Sequence, residues 1–249
     1  MQVSLKDVRI GLRNSTVRIP FRYGSTCLTS CPQAVLFATL EVNGRSVAGY
    51  SGDCLPPGWF DKSPEKDFEE QISDMLRSTE HAVQAFSDAL GETASFFPGW
   101  VQAYRTQQQW GVDEGLPQLL ATFGLSLVER AVMDGMARSS QLSFHQAVHQ
   151  NIYGIVGGDV FPELEGLQPT EWLPSVPKTS IYARHTVGLG DPLTAEEIPG
   201  DERLRDGSPQ ALEEYVRHSG TSYFKVKVAN DLERDVLRLE TIAAIVEKH

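Results

Sequence analysis

The last third of the chain reads as strand, helix, strand, helix, and this rhythm limits the fold more than any other feature. Ser180–Val187 is a candidate strand. After a long connection, Ser208-Pro209 supplies an N-cap followed by proline at the first helical position, and Gly220 stops that helix. Ser222–Val228 follows as a second strand, and Leu232, Val236, Leu239, Ala243 and Val246 mark the inner stripe of a last helix. Strands joined through helices at this spacing are parallel, with right-handed crossovers. Two such units cannot close a core, because parallel sheets are covered and many-stranded. A closed (β/α)8 barrel takes about 250 residues of its own. The stretch looks unfinished.

The first sixty residues read as β structure. Gln33–Val42 and Arg45–Tyr50 flank Asn43-Gly44, a pair suited to a hairpin turn whose two positions both need positive φ. Val3–Leu12 is a third strand candidate, and Phe21–Ser30 and Gly52–Asp61 read as loops. From Pro64 to about Gly158 the period becomes helical. Phe68, Ile72, Met75, Leu76, Val83 and Phe86 share a face before Gly91. Leu116–Arg138 carries Leu119, Leu120, Phe123, Leu127, Val128, Ala131 and Val132 on more than one side, as a helix buried between layers does. Ser143–Ile152 adds a short helix, and Gly157–Pro177, rich in glycine and proline, reads as a connector.

Within the second C-terminal strand, Lys225 and Lys227 point to one face, about 6–7 Å apart along the chain, while Phe224, Val226 and Val228 form the apolar face. Two ammonium groups side by side repel, which favours losing a proton from one of them. That is how a lysine becomes a base near neutral pH. The competing reading is an edge strand with two solvated lysines.

Other chemistry is thinner. His145 and His149 have the i, i+4 spacing of a zinc pair, but Gln146 stands where a metalloprotease motif carries glutamate, so ordinary surface histidines are the better reading. Cys27 and Cys31 lack a second ligand pair and read as loop thiols. His185 lies near the end of its strand, where barrel residues contact substrate; the competing reading is a histidine satisfied by backbone partners. Glu163, Glu165, Glu196 and Glu197 read as solvated loop charges. With 22 Lys+Arg against 33 Asp+Glu, a net charge of −11 argues against nucleic-acid binding. No apolar run reaches the roughly 18 residues of a membrane span. Met1–Ile10 lacks a secretory core, and three cysteines argue against a disulfide framework, so a cytoplasmic location is expected.

The order of these parts, with Phe21-Arg22-Tyr23-Gly24, Gly58-Trp59-Phe60-Asp61-Lys62, Leu127-Val128-Glu129-Arg130-Ala131-Val132-Met133-Asp134 and Phe224-Lys225-Val226-Lys227, resembles the enolase superfamily, in particular its mandelate racemase and muconate lactonizing enzyme branch. The resemblance implies an α+β capping domain over residues 1–158, a linker over 159–179, and the first two β/α units of an incomplete (β/α)8 TIM-type barrel over 180–249. It implies an Mg²⁺-dependent racemase, cycloisomerase or dehydratase that removes the proton next to a small-molecule carboxylate. Lys227 would be the general base and Lys225 the neighbour that lowers its pKa and faces the carboxylate. Tyr23, Ser25 and Thr26 of the first loop, with His185, would contact substrate. The family holds its metal on later barrel strands, and no residue here matches a ligand. Enzyme activity of this chain alone is therefore left open, and inactivity is the expectation. The alternative is a non-catalytic binding or oligomerisation module derived from the same fold. Either way the half-built sheet leaves an apolar flank, so poor solubility, a complementing chain or a homo-oligomer is expected.

Overall fold

The computed structural model describes residues 1–23 and 26–249. Five strands come first: β1 (Val3–Arg13), β2 (Thr16–Tyr23), β3 (Thr26–Ser30), β4 (Gln33–Val42) and β5 (Arg45–Cys54). Six helices follow: α1 (Phe68–Thr93), α2 (Phe96–Asp113), α3 (Gln118–Ala121), α4 (Phe123–Ser139), α5 (Phe144–His149) and α6 (Pro169–Trp172). Then come β6 (Arg184–Val187), α7 (Leu212–Ser219), β7 (Tyr223–Val226) and α8 (Leu232–Lys248). The chain forms two compact units, Met1–Thr16 with Ser30–Pro177, and Val17–Thr29 with Lys178–His249.

In the first unit β1, β4 and β5 make an antiparallel sheet with β4 in the middle. Asn43 and Gly44, at φ 48° and 77°, turn the β4–β5 hairpin as the sequence predicts. Ala34, Leu36, Ala38, Leu40 and Val42 alternate along β4 and are all buried in a core shared with α1 and α4. Helix α4 lies so close to β5 that a Cβ on Gly49 would come within 2.0 Å of the Ala131 carbonyl oxygen. Asp67 caps α1 in a reciprocal pair with Glu70. The helix runs past Gly91 and ends where Ala94 takes the left-handed conformation.

Three expectations are corrected in this unit. Leu116–Arg138 is two helices, broken at Thr122, and Leu119 is exposed. The break brings the Gly124 N–H onto Ser78 Oγ at 3.0 Å. Helix α2 has no counterpart in the sequence reading, because its buried residues include Gly99, Ala103, Gln107 and Gly111, which carry little hydrophobic signal. Gln107 is held by its Nε2 donating to the carbonyls of Ser78 (3.0 Å) and Ala121 (2.6 Å).

In the second unit the segment read as a loop from Phe21 to Ser30 contains strand instead: β2 and β3 pair as a two-stranded sheet. Val17, Ile19 and Phe21 alternate with arginine and proline, and Pro20 is tolerated because both strands of a two-stranded sheet are edges. Strands β6 and β7 are parallel, as the strand–helix rhythm requires. Val187, Leu193, Leu212, Val216, Ile242 and Ile245 form a small core, with Phe224, Val226 and Val246 packed against it. Ser208-Pro209 does not start the helix. Arg18 Nη2 and Nη1 take the Ser208 and Pro209 carbonyls at 2.9 and 2.8 Å, so that dipeptide stays in the connection, and α7 begins at Leu212. Gly220 ends it in the left-handed conformation, as read. The inner stripe of α8 also differs from the expected one: Ile242 and Ile245 are buried with Val246 packed beside them, while Leu232, Val236, Leu239 and Ala243 are exposed.

Candidate functional site

Parallel pairing sets Thr186 beside Lys225 and Val187 beside Val226, and the Lys227 N–H donates to the Val187 carbonyl at 2.9 Å. Val187 and Val226 face the core under α7 and α8. By the alternation of a strand, Arg184, Thr186, Lys225 and Lys227 therefore project from the opposite face. The structure thus brings the two lysines together on one side. Lys225 is exposed and Lys227 half-buried. The Lys225 ammonium is held below the usual lysine value, first by the charge of Lys227, then by a small loss of solvation and by the Arg184 guanidinium. Among the described residues neither lysine has a carboxylate partner.

Arg184 is the residue of this face that sequence reasoning missed. Its signal was present: Arg184 and Thr186 share a face by period two, and a parallel neighbour carrying Lys225 and Lys227 sits beside that face.

His185 pairs in register with Phe224 and lies on the core side of the sheet, away from the lysines. Its ring packs on Tyr215 with centroids 4.5 Å apart. Burial lowers its pKa, and Asp191 partly opposes that shift. With Phe21, Asp191 and Tyr215 it lines a cavity of about 300 Å³. Tyr23 ends β2, with its ring 5.6 Å from that of Phe21, and Thr26 begins β3. Ser25 lies outside the described residues. Cys27 is exposed on β3, whereas Cys31 is buried. Burial, and then the neighbouring Cys54, push the Cys31 thiol up to about 11.

No sequence-family model matches the chain, and no curated protein matches it. Solved structures do. An enolase from Bradyrhizobium complexed with magnesium and mandelic acid is 15% identical, with a TM-score of 0.52 over 99% of this chain and 52% of its own. A dipeptide epimerase from Enterococcus faecalis complexed with Mg and the dipeptide L-Leu-L-Tyr is 14% identical, with a TM-score of 0.51 over 99% and 51%. The L-Ala-D/L-Glu epimerase from Bacillus subtilis is 16% identical, with a TM-score of 0.54 over 98% and 50%.

The chain shares its fold with these solved structures. The chain spans about half the length of the structures it matches. Two of these neighbours are complexes with magnesium. Magnesium takes six oxygen ligands, of which carboxylates are the protein's share. Among the described residues no group of three His, Cys, Asp or Glu side chains could hold a metal, so the residues present do not fit the ion. The half-buried His145 and His149, with rings 5.9 Å apart, find no third ligand. No helix among the described residues is long and apolar enough to cross a membrane.

Proposed function

We propose that this chain is the capping portion, residues 1–158, and the opening two β/α units, residues 180–249, of a magnesium-dependent enolase-superfamily enzyme acting as a racemase, cycloisomerase or dehydratase. The observation that carries the reading is the lysine pair on the open face of the β6–β7 sheet, where Lys225 and Lys227 stand on one side with no carboxylate partner among the described residues. In this reading Lys227 Nζ takes the proton from the carbon next to a carboxylate. The C–H electron pair then moves into the carboxylate to give an enediolate. Lys225 keeps its proton and faces the carboxylate oxygens. Tyr23, Thr26 and Ser25 are the proposed substrate contacts; His185 lies on the core side of β6, opposite the lysines, and is not placed among them. An enediolate needs concentrated positive charge, and electrostatic stabilisation is usually the largest catalytic contribution. The described residues supply no metal ligands, so the 249-residue chain alone is expected to be inactive. A cytoplasmic location and completion of the barrel, by further polypeptide or by a complementing chain, belong to the same proposal.

The test is incorporation of solvent deuterium at the α-carbon of carboxylate probes, dipeptides and mandelate, followed by proton NMR. The chain alone with Mg²⁺ should give none. The same residues within a completed barrel should exchange, and Lys227→Met should lower that rate by a factor of about 10² or more. Exchange by the chain alone, or full activity of Lys227→Met in the completed barrel, contradicts the reading. A completed barrel that binds such probes without exchange favours the non-catalytic module.

A further inference from the structure

We propose that a cavity of about 630 Å³ beside α7, formed by the β6–α7 connection, is a binding site for a small phosphate-bearing ligand. It does not depend on the role assigned to the lysine pair.

The connection runs from Gly188 to Ala211, where βα loops usually take two to six residues. Long connections of this kind are usually either functional or disordered, and this one is tied down. The Leu204 N–H donates to Gln210 Oε1 at 2.9 Å, and Gln210 Nε2 donates to the Glu202 carbonyl at 2.9 Å. Arg18 grips both Asp206 carboxylate oxygens at 2.6 and 2.7 Å. A loop held by so many side chains presents its remaining groups in fixed positions.

Three of the groups lining the cavity are guanidinium ions. Arg203, Arg205 and Ser208 of the loop line the cavity with Arg217 and His218 from the last turn of α7. In a chain of net charge −11 this is a local reversal of sign. Arg203 pairs through Nη2 with Glu214, but its Nη1 is buried and has no hydrogen-bond partner among the described residues. Arg217 gives one nitrogen to Glu213 at 2.8 Å and keeps further N–H groups. Arg205 and His218 have no ion-pair partner among the described residues. The one carboxylate in the lining, Glu214, is committed: Arg203 first, then the N–H groups of Gln210 and Ala211, bring its pKa down to about 2 against the opposing effect of burial. Forked guanidinium donors with a hydroxyl match a tetrahedral oxyanion. The volume exceeds one phosphate and suits an ester of metabolite size. The overall acidity disfavours a nucleic-acid backbone as the occupant.

Isothermal titration of the intact chain at low ionic strength, with inorganic phosphate and with glycerol phosphate as probes, tests this. Saturable one-site binding is expected, weakening as salt is added. Arg205→Ala, which removes no ion pair, should weaken binding about tenfold to a hundredfold, and Lys225→Ala should leave it unchanged. Tighter binding of glycerol phosphate than of phosphate supports an ester as the ligand, and equal binding supports the free anion. No saturation, equal binding by Arg205→Ala and wild type, or loss of binding in Lys225→Ala overturns the site.

Discussion

Asp61 shows how the charge of one residue fixes a loop. Its side chain is 5% exposed; burial alone would raise its pKa, but Lys66 at 2.8 Å and the Ser63 N–H at 2.9 Å outweigh burial and lower it. Lys66, shared with Asp74 at 2.6 Å, is raised in turn by both carboxylates. Because the folded Asp61 value lies below the unfolded one, its contribution is complete above the unfolded value. It is lost as pH falls through the folded value. Asp61→Asn should therefore destabilise the chain by about 1–3 kcal/mol at pH 7. The loss should shrink in urea melts at acid pH. Lys225 runs the other way. Its lowered value means that stability rises with pH just below the ordinary lysine range, a small effect for an exposed side chain. The lysine pair was legible in the sequence because period two is a backbone property. His185 was legible as a strand residue but not as a core-side one, since its face depends on where α7 packs.

Among the elements, those with a simple period or a turn pair could be read directly. The β4–β5 hairpin follows from Asn43-Gly44, and the parallel β6–β7 pair from the spacing of two strands around a helix. Elements defined by close approach could not. Helix α2 is anchored by Gln107, and the contact of α4 with β5 depends on Gly49, whose meaning appears only once Ala131 lies against it. Gly49→Ala leaves its new methyl no room against backbone atoms and should cost about 3 kcal/mol, read as a lower urea midpoint with an unchanged m-value. Ser208-Pro209 misled because a helix-start signal is local, whereas Arg18, far away in sequence, holds that dipeptide elsewhere. On α8 the apolar stripe extends beyond its cover: Leu232, Val236, Leu237 and Leu239 are all more than 40% exposed. Such a face drives association. Sedimentation velocity should show concentration-dependent assembly of the chain that Val236→Glu with Leu237→Glu reduces; a monomer at all concentrations would remove the argument.

At the scale of the whole molecule, the chain shares its fold with enolase and epimerase structures, spans about half their length, and carries a lysine pair on one face of the β6–β7 sheet. The proposed proton abstraction requires that Lys225 and Lys227 share one face and feel each other's charge. The direct measurement is a pH titration of the lysine side chains by NMR, in the wild type and in Lys227→Met. The account predicts that Lys225 titrates below the ordinary lysine value of 10.5 in the wild type and moves back toward it when Lys227 loses its charge. A Lys225 that titrates at the ordinary value in both proteins would contradict it.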